Sequence, residues 1–165
     1  MDWGKYSRKK NSNLDVIAVL ETQIDDLSPQ VFGYVFDGLL NAGALDVFTQ
    51  SVNMKKSRPG ILLTVICPLD KVSLCEEIIF KETTTLGIRQ LIQKRSILDR
   101  EIKTVEIKYG QVRVKIASQG KGEEKTIINV QPEYEDCAAL ARKFDQPLRS
   151  IQQMALEAFI KTNKA

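Results

Sequence analysis

Histidine is absent from all 165 residues. That gap excludes histidine-based nucleophile triads, imidazole acid–base catalysis and imidazole-rich transition-metal sites. Cysteine is scarce. Cys67, Cys75 and Cys137 are odd in number and lack CxxC spacing, which suggests neither a disulfide framework nor a zinc cage. A reducing, cytoplasmic location is expected. No apolar run approaches the ~20 residues that span a bilayer. The basic opening MDWGKYSRKKN lacks the apolar stretch of a signal peptide. A strong charge of one sign is missing as well. The net charge is +3, and Lys5, Arg8, Lys9 and Lys10 alone supply four positive residues, so the rest is nearly balanced. Nucleic acid and membrane surfaces are therefore not expected as partners. Catalysis would have to draw on carboxylates, lysine, arginine, hydroxyls, a thiol or a bound metal.

What is present reads as an α+β protein. With 43% hydrophobic residues the chain is long enough to bury a sizeable core. Residues 1–13 look like a flexible lead-in. LDVIAVLETQ, from Leu14, is a buried strand; Ser28 and Pro29 suit the cap and first position of a helix that Gly43 ends. LDVFTQSV (45–52) and ILLTVIC (61–67) are further strands. Asp70 is placed to cap a second helix with Val72, Cys75, Ile78 and Ile79 as its stripe. GIRQLI and SILDREIKTVEI then give extended segments, and the order β-α-β-β-α-β predicts a ferredoxin-like unit over residues 14–108. A second unit, 109–165, is predicted as ββαα. QVRVKIA alternates with Val112, Val114 and Ile116 on one face, KTIINV pairs with it, and helices follow near 132–144 and 147–162.

Polar residues gather where the elements meet. Glu21, Asp25 and Asp26 offer carboxylates at the end of a buried strand. They suit Mg²⁺ or Mn²⁺, and equally suit the positive end of the next helix. Lys55, Lys56 and Arg58 flank a Pro-Gly turn; they could clamp a triphosphate or merely keep a hairpin soluble. In KETTTLGIR (81–89), Glu82 could complete a metal site. Thr83, Thr84 and Thr85 supply hydroxyls, Gly87 permits close approach and Arg89 can pair with phosphate. Three β-branched residues also simply end a helix. This is not a P-loop, since the GxxxxGK[ST] spacing is missing. In PEYEDC (132–137), Glu133 and Asp136 could turn toward a cation beside Cys137, or complement a helix dipole. Lys115 is a lone basic candidate on the polar face of its strand. The spacing supports a metal–phosphate site and names no substrate.

Taken together, IDDLSP (24–29), GALDVF (43–48), MKKSRPG (54–60), FKETTTLGIR (80–89), ILDREI (97–102), YGQVRVK (109–115) and PEYEDC resemble one family. They are similar to the C-terminal half of the nickel insertion proteins that mature the nickel-pincer nucleotide cofactor of lactate racemase, in order from about Asp15 to Phe159. The resemblance implies a CTP-dependent nickel chelatase of the lyase class. Such a protein binds CTP with Mn²⁺ or Mg²⁺, hydrolyses it, and inserts Ni²⁺ into a pyridinium bisthiocarboxylate mononucleotide. The C-terminal half is the portion associated with CTP. By that resemblance Lys55, Lys56, Arg58 and Arg89 would meet phosphate, and Asp25, Asp26 and Glu82 a hard cation. Family members also carry a histidine-rich N-terminal half. A chain without histidine is expected to act as the nucleotide-binding module beside such a half. Separately, an apolar-rich chain of this size with long strands is expected to self-associate through a sheet edge.

The competing expectation is a non-catalytic, ferredoxin-like regulatory or RNA-binding module. RNA-binding sheets of this topology stack bases on strand aromatics. Here only Phe48 and Tyr109 lie in or beside predicted strands.

Overall fold

The computed structural model describes residues 13–120 and 122–163. The expected lead-in, apart from Asn13, lies outside the described residues. The chain divides into two units, Leu14–Ser96 and Ile97–Ala165, each with its own sheet and core.

In the first unit the order is β1 (Asn13–Ile24), α1 (Pro29–Asn41), β2 (Asp46–Met54), β3 (Arg58–Pro68), α2 (Val72–Glu82) and β4 (Arg89–Ile97). The sheet order β2-β3-β1-β4 is that of the predicted ferredoxin-like unit. β3 runs antiparallel to both neighbours, with Thr64 opposite Glu21 on one side and Phe48 on the other. Strand alternation sends Leu20, Ile24, Leu63 and Val65 to the helical side, where they meet Val35, Leu39, Cys75 and Ile79. Leu20, Leu39 and Leu63 are fully buried; truncating such a leucine to alanine costs about 2–5 kcal/mol.

Two helix starts are built differently from the expectation. Ser28 stands at the N-cap of α1 with Pro29 behind it, but its hydroxyl makes no capping bond. Asp70 does not cap α2. It falls in a 3₁₀ turn, Leu69–Lys71, and Lys71 is the residue at the cap. Gly43 does end α1, at φ 103°, a conformation that side chains disfavour.

The second unit contains β5 (Asp99–Ile107), β6 (Gly110–Gln119), β7 (Thr126–Pro132), α3 (Tyr134–Lys143) and α4 (Leu148–Asn163). Its antiparallel sheet has the order β5-β6-β7. Val112, Val114 and Ile116 on the central strand are fully buried against Cys137, Ile151, Ala155 and Phe159. The unit is thus βββαα rather than ββαα. A boundary after residue 108 cuts the β5–β6 hairpin, whose pairing from Asp99↔Ser118 to Ile107↔Gly110 ties 99–107 to this sheet. Among the described residues no helix is long and apolar enough to cross a membrane.

Candidate functional site

The last residues of β1 run into the loop before α1, and two other segments of the first unit end beside them: the β2–β3 turn and the loop between α2 and β4. Together they line a cleft of about 640 Å³, bounded by Thr22–Asp26, Asn53–Lys55, Thr84–Gly87 and Arg89. Of the residues singled out in the sequence, Asp25, Asp26, Lys55, Thr84, Thr85, Gly87 and Arg89 reach this cleft.

The threonine run divides its labour. Thr83 ends α2: its backbone N–H and its hydroxyl both donate to the Ile79 carbonyl, at 3.0 and 2.7 Å. Its side chain is spent on the helix terminus and does not line the cleft. Thr84, freed of that duty, donates to Asp26 Oδ1. Thr85 donates to the Gly87 carbonyl at 3.0 Å. The same carbonyl accepts from Thr22 at 2.9 Å, and the Thr22 and Thr85 hydroxyls also contact one another. Thr22 is only 2% exposed. It fastens the loop 83–88 to the end of β1 from beneath.

Charged groups around the opening are held loosely. Arg58 Nη1 approaches Asp25 Oδ2 at 3.2 Å. Arg89 reaches Glu21 at 3.4 Å and Gln23 at 3.5 Å, near the limit of a hydrogen bond. Both arginine side chains are more than half exposed. Lys56 and Ser57 sit in the left-handed region at φ 62° and 56°, a turn that sets Lys55 at the cleft while Lys56 and Arg58 do not line it.

The other candidates are placed elsewhere. Glu82 pairs with its neighbour Lys81 at 3.6 Å and does not line the cleft. Lys115, Glu133 and Asp136 belong to the second unit. Lys115 Nζ lies 2.9 Å from Glu133 Oε1, at an angle that leaves this buried oxygen without a directed hydrogen bond. Asp136 is gripped by Arg113, Nη2 to Oδ1 at 2.7 Å and Nε to Oδ2 at 2.9 Å. That contact, ahead of all else, holds the Asp136 carboxyl below its ordinary range, and the same contact raises Arg113. Burial pushes all three thiols up: Cys137, Cys67, and Cys75 to about 12 beside Cys67. Protonated thiols are poor ligands for a soft metal. Among the described residues no group of three or more Asp, Glu, Cys or His stands together to hold a metal ion.

The sequence reading missed Thr22, Gln23 and Asn53 as cleft residues. Their signal was nearness alone, since each lies within two residues of a residue that was named.

A profile of the nickel insertion protein family matches residues 5–152. The chain belongs to that family. A relative in Gloeothece citriformis that carries the family's name is 69% identical over 88% of this chain and 36% of its own length. Another, in Rippkaea orientalis, is 68% identical over 89% of this chain and 35% of its own. The chain therefore spans about a third of the length of the curated relatives it matches. Among solved structures, it is similar to LarC2, the C-terminal domain of a cyclometallase involved in the synthesis of the NPN cofactor of lactate racemase, in its apo form. The two are 39% identical at a TM-score of 0.79, over 89% of this chain and 99% of that one. A protein of Methanopyrus kandleri shares the fold at a TM-score of 0.65 and 23% identity, covering 91% of this chain and 92% of that one. The nickel insertion family and the α+β class inferred from the sequence both stand.

Proposed function

We propose that the first unit binds CTP together with Mn²⁺ or Mg²⁺. The chain would then serve as the nucleotide-binding part of a CTP-dependent nickel chelatase. In this reading the complete protein, with a histidine-rich N-terminal half, inserts Ni²⁺ into a pyridinium bisthiocarboxylate mononucleotide during maturation of the lactate racemase cofactor. The observation that carries it is the convergence of Asp25, Asp26, Lys55, Thr84 and Arg89, from three separate segments, on one polar cleft.

The donor set suits a hard cation delivered with phosphate. Asp25 and Asp26 are oxygen ligands, and the Thr84 hydroxyl is a third oxygen beside them. Mg²⁺-type ions take one or two protein carboxylates and fill their remaining positions with water and phosphate oxygens. Two carboxylates without a third fit an ion of that kind better than a dedicated all-protein cage. When bound, such an ion would draw off charge that develops on phosphate oxygens as the α–β bond breaks.

The chain's own residues supply the rest. Lys55 contributes a point charge, and Arg89 can exchange its long contacts to Glu21 and Gln23 for a forked pair with phosphate. Arg58, released from Asp25 when that carboxylate takes a cation, adds a further donor at the rim. Thr22 and Thr85 hold the 83–88 loop so that Thr84 faces the same space. Nickel is cargo here. With no histidine and three buried thiols, this chain offers it no imidazole and no thiolate. Its ligands are assigned to the other half. Self-association stays within the proposal: the outer strands β4 and β7 expose Leu91, Ile92, Ile127 and Ile128.

Calorimetry with CTP, with and without Mn²⁺, tests the reading. Binding is expected to require the cation, and Arg89→Ala should weaken it about tenfold, the loss of one charge-assisted pair. Affinity unchanged in Arg89→Ala removes that residue from the site. Absence of CTP binding, with salt-sensitive RNA binding in its place, would transfer the chain to the RNA-binding class.

A further inference from the structure

The two ends of the first unit differ in character. Charge and hydroxyl groups crowd the cleft end, whereas the far end is apolar. At the far end β1 starts, α1 finishes and β3 gives way to α2. Leu45, just ahead of β2, donates its backbone N–H to the Ile66 carbonyl at 2.7 Å. Ile17 stands opposite Pro68 in the β1–β3 ladder, which sets Val16 level with the 3₁₀ turn at Leu69 and Leu14 a step further out. A Cβ on Gly43 would lie 3.4 Å from Lys71 Cε, so the end of α1 rests against the start of α2.

Six large apolar side chains gather there: Leu14, Val16, Leu40, Leu45, Leu69 and Leu74, each between 39% and 69% exposed. They are half of the unit's twelve exposed large apolar side chains among the described residues. Single exposed leucines are ordinary, but a gathering of them marks a surface that meets another. The nearest acids are already engaged within the unit. Arg95 holds Asp15, Asp70 lies 3.7 Å from Lys71, and Asp46 accepts the Val47 N–H at 2.9 Å. These carboxylates therefore do not demand a charged partner, and the centre of a protein interface is depleted of charge in the same way.

We propose that this apolar end is the docking face for the preceding half of a full-length nickel insertion protein. The proposal rests on the reading of this chain as the C-terminal part of such a protein, and not on what the cleft binds. The chain spans about a third of its curated relatives, and LarC2, matched over 99% of its own chain, is a C-terminal domain. A preceding half joins this unit at the start of β1, and so at the apolar end. Its contact surface must itself be apolar. Because the two parts share one polypeptide, linkage raises their effective concentration and a modest patch suffices. Docked at that end, the preceding half leaves the cleft open to a nucleotide.

Hydrogen exchange read by mass spectrometry tests this. The chain is measured alone and fused behind the portion of the Gloeothece citriformis relative that lies outside the match. In the fusion, amides of residues 40–45 and 69–74 should exchange more slowly by about tenfold or more, with those of 84–89 unchanged. Leu45→Lys with Leu69→Lys should abolish that protection and leave CTP affinity within about twofold, since the two ends are distant. Leu40→Lys with Leu74→Lys is a second variant, and a thermal melt shows which variants are folded. Protection that is absent from the fusion, retained in a folded variant or confined to the cleft overturns the docking face. Protection that the chain alone gains with concentration assigns the face to a second copy and also overturns it. If neither chain nor fusion binds CTP, the cleft reading fails, while the exchange pattern still decides the docking face.

Discussion

Arginine–aspartate pairs occur in both units, and those at the cleft of the first unit are built to the opposite end from Arg113–Asp136 in the second. In the second unit Arg113 and Asp136 meet twice through side chains at 2.7 and 2.9 Å, and the Arg113 backbone N–H adds a third bond to the same carboxylate at 2.9 Å. The Glu133 N–H donates to the Arg113 carbonyl at 2.8 Å. Here β7 has ended, and the first turn of α3 continues its work by satisfying the edge of β6. At the cleft of the first unit Arg58 touches Asp25 once at 3.2 Å and Arg89 touches Glu21 at 3.4 Å, whereas away from the cleft Arg95 holds Asp15 Oδ2 at 2.7 and 2.9 Å. Short forked pairs are strong and geometrically fixed; long, exposed single contacts contribute little. The same residue types thus serve the fold in one place and stand available in the other. Charged clusters read from sequence cannot be told apart until their geometry is known.

The comparison breaks most visibly at the cleft carboxylates. Asp25→Asn together with Asp26→Asn should lower Mn²⁺-dependent CTP affinity about a hundredfold, since each loses charge-assisted contact to a cation. With Asp26 exposed and Asp25 partly covered but held by a single long contact, the double substitution should leave the melting temperature within about 2 °C. Calorimetry and a melt read both numbers on one preparation. A large drop in melting temperature with intact binding would make the cleft acids structural and reverse the contrast.

Thr22→Val sharpens it from beneath. Valine keeps the shape and removes the hydroxyl that bonds Gly87 and Thr85, so the 83–88 loop loses a buried anchor. CTP affinity should fall about tenfold, from the loss of preorganisation plus one hydrogen bond, while Thr22→Ser keeps most of it. Equal loss in the serine variant would mean that the hydroxyl alone does not hold the loop and that the methyl group is needed as well.

How much of this was legible depends on distance along the chain. The buried runs of β1, β3 and β6 and the stripe Ile151, Ala155 and Phe159 announce themselves, because burial repeats at the period of the local backbone. The domain boundary did not. GIRQLI and SILDREIKTVEI read as one extended stretch, and only the β5–β6 pairing reveals which sheet claims residues 99–107. The site was half legible. Charge and hydroxyl content marked Asp25, Asp26, Lys55, Thr84 and Arg89. Thr22 was hidden inside an apolar strand, and its partners lie 63 and 65 residues away. Thr83 looked equivalent to Thr84; a shift of one residue at the end of a helix decides which hydroxyl caps and which faces outward.

The tight pair in the second unit gives the smallest expected effect and the sign that defines it. Asp136→Ala should lower the melting temperature by roughly 2–4 °C near neutral pH, the modest net worth of a short pair whose arginine is screened by solvent, with CTP affinity unchanged. Because Arg113 depresses the Asp136 carboxyl in the fold below its ordinary value of 3.8, the stabilisation is complete above that value and is lost as pH falls through the lower folded pKa. The gap between native and variant melting temperatures should therefore be constant from pH 7 to about 5 and close on further acidification. Other carboxylates titrate in both proteins and cancel in the difference. A gap that persists at low pH would assign the loss to packing at the α3 start rather than to the ionised pair, and a fall in CTP affinity would return Asp136 to the binding site.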